Sequence, residues 1–208
     1  MAKQRRVLIM TMLKPRSGMR LTVEEFMELP DTWDRRKMEL DEGVLYIMIK
    51  PRLVHQFFQL KLAGFVDFHL DQFDSPPADV FTEVIVALSL ERRILLAPDL
   101  TIVLQGNSAI YRDQMIEGAP DIVAEILSSD RNRDLVRKRQ LYSEAGVSKY
   151  WIFDPRNDTA TLLELQNGEY VERAVLTADD TLTTPLLPGL AIPLADVFRH
   201  HRRPAGEG

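Results

Sequence analysis

Three short aliphatic runs constrain this fold more than any other feature: VFTEVIVALSL (80–90), RILLAPDLTIVL (93–104) and PDIVAEIL (120–127). Each is rich in β-branched or aliphatic residues and bounded by turn signals, so together they predict neighbouring core strands. Pro-Asp dipeptides end in Asp99 and Asp121, and the third run carries Glu125 among Ile122, Val123, Ala124, Ile126 and Leu127. A bare carboxylate on a buried strand is costly unless it is paired or binds a metal. Glu125 therefore needs a partner.

Strand geometry limits the choice. Asp121 and Glu125 would share a face, but four residues of strand span roughly 13 Å, too far to share one ion. Asp121 then reads as a residue of the turn or strand start. A residue on an adjacent strand can sit about 5 Å from Glu125, and Asp99, also at the start of an apolar strand, is the best placed. The competing reading is an ion pair of Glu125 with Lys138 or an arginine, tying the strand to the next helix without catalysis.

That helix is predicted over about 131–145, with Asp130 as its cap and Gly146 as its end. Leu135, Lys138, Tyr142 and Ala145 repeat at helical spacing with Leu141 beside them, which turns Lys138 inward. Arg131, Arg133, Arg137 and Arg139 spread around the remaining faces, as a solvated basic surface or as one that contacts phosphate.

The flanking segments read as follows. Thr22 and Glu25 have capping-box spacing for a short helix closed by Pro30. KMELDEGVLYIMI predicts two strands turning near Glu42-Gly43, and Pro51 starts a long helix to about Leu70 with Val54, Phe58, Leu62 and Phe65 as its apolar stripe. Residues 105–118 read as a polar loop. SKYWIFD is a strand stopped by Pro155, 159–175 form a hairpin around QNGE, and a Pro-rich extended stretch leads to a short helix near 194–200.

A chain of 208 residues with 45% hydrophobic and 27% charged side chains can build one sizeable core, read here as a single domain over 21–200. Residues 1–20 contain only basic charges and read as a tail, with a nucleic-acid arm as the alternative; 201–208 read as a polar tail. The absence of cysteine excludes thiolate metal sites and a cysteine nucleophile, and suits a reducing, cytoplasmic setting. The seven apolar-leaning residues 7–13 are too few to span a bilayer, so no membrane association is expected. A net charge of −5 argues against strong nonspecific DNA affinity, although bound metal ions restore attraction to phosphate locally.

Taken in order, LTVEEFMELP, KMELDEGVLYIM, His55 after Pro51, APDLTIV, GAPDIVAEILS, Lys138, Tyr142, Gly146-Val147 and KYWIFDP resemble the Uma-type restriction endonuclease family, a branch of the PD-(D/E)XK nuclease superfamily. The succession of blocks across about 21–165 carries the resemblance; single Pro-Asp or E-x-L-S strings arise by chance. Glu42-Gly43-Val44 replaces the family's acidic-Gly-acidic turn, and Ser129 stands where a proline is usual.

The resemblance implies an α/β (α+β) fold: a restriction endonuclease-like core with a mixed central β-sheet flanked by α-helices. It also implies Mg²⁺-dependent hydrolysis of DNA phosphodiesters, with Mn²⁺ as an alternative metal. Asp99 and Glu125 would be the motif acids and metal ligands, and Glu39 in KMEL a further acid of the cluster. Lys138 would be the catalytic lysine, moved onto the helix because Leu127 occupies its place in the E-x-K pattern. His55 would line the phosphate channel or serve as a polar first-turn residue, and Tyr142 would fill core space with its hydroxyl directed at a site carboxylate. DNA is the expected partner, and a homodimer would suit double-strand cutting. The rival functions are a noncatalytic interaction module on the same scaffold and a metal-dependent phosphoesterase acting on RNA or nucleotides.

Overall fold

The computed structural model describes residues 15–29, 38–48, 53–128 and 130–199. Most of both expected tails, with Pro30, Pro51 and Ser129, lies outside the described residues. Two compact units alternate along the chain: 1–50, 83–97 and 109–119 form the first, and 51–82, 98–108 and 120–208 the second.

The first unit opens with helix α1 (Val23–Met27), where the Thr22 hydroxyl accepts from Glu25 N and the Glu25 carboxylate accepts from Thr22 N. Strands β1 (Met38–Asp41) and β2 (Val44–Ile47) pair antiparallel through a two-residue turn. Both turn residues, Glu42 and Gly43, have positive φ (49° and 78°), as the hairpin turn whose twist matches its strands requires. Strands β4 (Ile85–Ser89), β5 (Ile94–Leu96), β7 (Ile110–Tyr111) and β8 (Met115–Glu117) complete a sheet of order β2-β1-β5-β4-β8-β7. Phe26, Leu40, Leu45 and Leu95 are fully buried in its core.

The second unit contains β3 (Ala78–Phe81), β6 (Leu100–Leu104), β9 (Ile122–Ile126), β10 (Lys149–Asp154), β11 (Thr159–Gln166) and β12 (Glu169–Thr177), in the order β12-β11-β10-β9-β6-β3. Only β9 and β10 pair in parallel, so the sheet is mixed. Helix α2 (Leu53–Leu70) buries Phe58, Leu62, Val66 and Leu70 against one face, onto Leu100, Ile102, Ile122, Ala124, Ile126, Trp151 and Phe153. Each such apolar side chain contributes about 1.5–3 kcal/mol by leaving water. The short pair β13 (Thr181–Leu182) and β14 (Ile192–Pro193) and a terminal helix Leu194–Phe198 extend the same core.

On the other face, a π-helical turn (Arg133–Lys138) runs directly into helix α3 (Arg139–Ala145). Arg133 N donates to the Asp130 carboxylate at the start, at 3.4 Å, and Gly146 closes the helix in the left-handed region with φ 89°.

Three expectations need correction. Residues 80–90 and 93–104 are not single strands: each divides between the two sheets, at Glu83 with φ 52° and at Ala97-Pro98-Asp99. A left-handed residue and a proline without an N–H each interrupt a ladder. Residues 105–118 contain β7 and β8 and are not wholly loop. Within the described residues, the π-helical turn, with its i to i+5 winding, rotates Leu135 out of the inward stripe; Leu135 is exposed and Asp134 is buried.

Arg131 locks the start of this helical segment to the end of β10. Its Nη1 and Nη2 donate to Oδ1 and Oδ2 of Asp154 at 2.9 and 2.7 Å. The Arg131 hydrogen bonds hold the Asp154 carboxyl below its ordinary range, with Arg156 N assisting. Because the folded-state value is depressed, this contribution is complete above the unfolded carboxyl range and is lost as pH falls through the folded value. Arg131→Ala is therefore expected to lose about 1–2 kcal/mol near neutral pH. In urea titrations at several pH values, the difference from wild type should disappear once Asp154 is protonated; a gap that persists in acid would refute this origin.

Candidate active site

The candidate site is built from the second unit. Asp99 lies one residue before β6, whose register with β9 places Leu100 opposite Ala124. Asp99 itself stands just outside the paired residues, at this end of the ladder. Asp99 Oδ2 accepts from Ile126 N at 2.7 Å and lies 3.0 Å from His55 Nε2. Gln59 Nε2 donates to the Asp99 carbonyl at 3.0 Å, so the first two turns of α2 hold the acid by side chain and backbone.

Glu125 alternates with Ala124 and Ile126 and points away from the α2 face, toward the helix that follows β9. It is 3% exposed. Its Oε1 accepts from Lys138 Nζ at 2.9 Å and from Tyr142 Oη at 2.7 Å. Lys138 is equally inaccessible and lies 3.6 Å from Asp134 Oδ1. A buried ammonium among carboxylates is tolerated because the charges compensate one another.

Tyr150, on β10, donates to the Asp134 carbonyl at 3.0 Å, and its ring packs on Tyr142 with centroids 5.1 Å apart. Burial first, then the charges of Glu125 and Asp134, raise the Tyr150 hydroxyl well above its usual range. It stays a proton donor.

The expected residues fall into two groups. Asp99, His55, Glu125, Lys138 and Tyr142 belong to the second unit, where Asp99 meets His55 and Ile126 N, and Glu125 meets Lys138 and Tyr142. Glu39 belongs to the first, on β1, fully buried, with Ala97 N donating to its Oε1 at 3.2 Å. A solvent-facing Glu39 is thereby ruled out. Asp121 accepts from Leu104 N and Asn107 Nδ2, both at 2.8 Å, and so ties down the loop after β6. Of the helix arginines, Arg131 is committed to Asp154, and Arg139 donates to the Tyr170 carbonyl at 2.9 Å. The residue that sequence reasoning passed over is Asp134. Its i, i+4 spacing from Lys138 was the available signal.

Asp99 and Glu125 offer hard carboxylate oxygens of the kind Mg²⁺ takes. Among the described residues no group of three or more His, Asp or Glu side chains is arranged to hold a metal ion. Mg²⁺ commonly uses only one or two carboxylates, with water and phosphate oxygens completing its shell.

The mixed sheet and its flanking helices belong to the restriction endonuclease-like class. In fold the chain is similar to the crystal structure of "a putative nuclease belonging to DUF820" from Anabaena variabilis ATCC 29413, with a TM-score of 0.69 and 21% identity over 87% of this chain and 99% of that one. Residues 23–195 match the Uma2 family model, described as "Putative restriction endonuclease", and the chain belongs to that family. No curated protein matches it. No helix among the described residues is long and apolar enough to cross a membrane.

Proposed function

We propose that the protein is a Mg²⁺-dependent endonuclease that hydrolyses phosphodiester bonds in DNA. The observation that carries this reading is the buried Glu125 carboxylate, bonded to Lys138, on the strand whose Ile126 N donates to Asp99. Asp99 and Glu125 would hold the metal. When bound, such an ion supplies charge neutralisation at the scissile phosphate and lowers the pKa of an attacking water.

The chain's own side chains orient these groups. Ile126 N and His55 fix the Asp99 carboxylate, and Tyr142 fixes the Glu125 carboxylate through Oε1. Lys138 provides a cation in a low-dielectric setting, where it stabilises the negative charge that develops on phosphate more strongly than it could in water. A metal-independent lock of Glu125, Lys138 and Tyr142 would use the same contacts, so activity is the discriminating measurement.

Supercoiled DNA, single-stranded DNA and RNA are incubated with the protein over a titration of Mg²⁺ or Mn²⁺. The expected result is metal-dependent conversion of supercoiled DNA to nicked or linear forms, lost in Asp99→Ala, Glu125→Ala and Lys138→Ala. Cleavage surviving all three substitutions would overturn the site. Cleavage confined to RNA would favour the phosphoesterase reading, and a folded wild type inert on every substrate would favour a noncatalytic module.

A further inference from the structure

Lys138 sits between two buried carboxylates, and the proposed reaction uses only one of them. Its Nζ is 2.9 Å from Glu125 Oε1 and 3.6 Å from Asp134 Oδ1. Asp134 is 8% exposed, and its backbone carbonyl accepts from the buried Tyr150 hydroxyl at 3.0 Å. The Asp134 turn is thus pinned to β10 while its side chain faces Lys138. The π-helical winding keeps Asp134 inward as Leu135 turns out.

We infer that Asp134 is a positioning residue, which holds the Lys138 ammonium in place independently of Glu125; this rests on the endonuclease reading. The physical need arises from where the lysine is attached. A lysine on the same strand as the glutamate would be aimed by strand pleat alone, whereas Lys138 reaches Glu125 from a helix on a long flexible stem. Glu125 also accepts from Tyr142 on the same oxygen, so its hold on the ammonium is shared. Asp134, one helical turn away, supplies a second counter-charge from the lysine's own element.

The test compares Asp134→Asn, which keeps shape and removes charge, with Asp134→Glu, which keeps charge. Asp134→Asn is expected to lower kcat for Mg²⁺-dependent DNA cleavage by about 10–100-fold, the scale of a misplaced catalytic group, with KM for DNA little changed. Asp134→Glu should recover most of that loss. In a Lys138→Gln background, Asp134→Asn should reduce residual cleavage less than twofold.

A metal-free thermal cycle reads the same coupling without activity: Asp134→Asn should lower Tm when Lys138 is present and leave it unchanged or raise it when position 138 is glutamine. If Lys138→Gln does not fold, the kcat contrast between Asp134→Asn and Asp134→Glu decides. Unchanged kcat in Asp134→Asn, or equal losses of kcat and Tm in both backgrounds, would overturn the inference. A wild type that cleaves nothing would defeat the endonuclease reading, while the thermal cycle would still determine whether Asp134 holds Lys138.

Discussion

Lys138→Met is expected to destabilise the protein by about 3–5 kcal/mol, because removing one member of a buried charge cluster leaves the others uncompensated. Lys138 is 1% exposed, and both Glu125 and Asp134 face it from within the same buried region. Methionine fills nearly the same volume, so the loss reports charge and not a cavity. Urea unfolding measures it directly. The double variant Glu125→Gln with Lys138→Met should regain part of the stability, since it removes a charge from each side and keeps an acceptor for Tyr142. A single-variant loss below about 1 kcal/mol, the range of exposed ion pairs, would mean that solvent screens the lysine.

Asp99→Ala is expected to show the opposite balance, with a small effect on folding and a large one on function. Its side chain accepts from Ile126 N and pairs with His55, so truncation should cost about 1–2 kcal/mol. Substituting a residue that merely supports a metal ligand commonly costs about 10–100-fold in affinity or activity. Loss of a ligand should cost at least about 100-fold in Mg²⁺-dependent cleavage. A second readout needs no substrate: Mg²⁺ should raise the Tm of the wild type, as any ligand of the folded state does, and should not raise that of Asp99→Ala. Equal Mg²⁺-induced shifts in both proteins would place metal binding elsewhere.

The two variants separate roles that a list of site residues would merge. Glu125 and Lys138 belong to a buried, mutually bonded cluster. Asp99, at the head of β6, is held instead by Ile126 N and by His55 and Gln59 from the first turns of α2.

Much of this was legible in local sequence. The Thr22–Glu25 capping box, the Glu42-Gly43 turn, the extent of α2 and the Gly146 helix end all follow from side-chain chemistry within a few residues. The inward orientation of Lys138 also followed from helical period, since a cation in an apolar stripe has few outward alternatives. The need of Glu125 for a partner could be anticipated from the cost of burying a lone acid, and Lys138 supplies one.

Only the tertiary structure divided residues 80–90 and 93–104 between two sheets, because aliphatic composition encodes burial and not which strand supplies the hydrogen-bond partner. It likewise decided the contribution of Asp134. An α-helical reading of 131–145 aligns Leu135 with Lys138, whereas the π-helical turn leaves Leu135 in solvent and brings an acid against the lysine. Its Asp134 carbonyl accepts from Tyr150 on β10, a contact between residues distant in the chain. By itself the sequence determined which side chains had to be buried; their partners within the second unit were decided by strand register and helical winding.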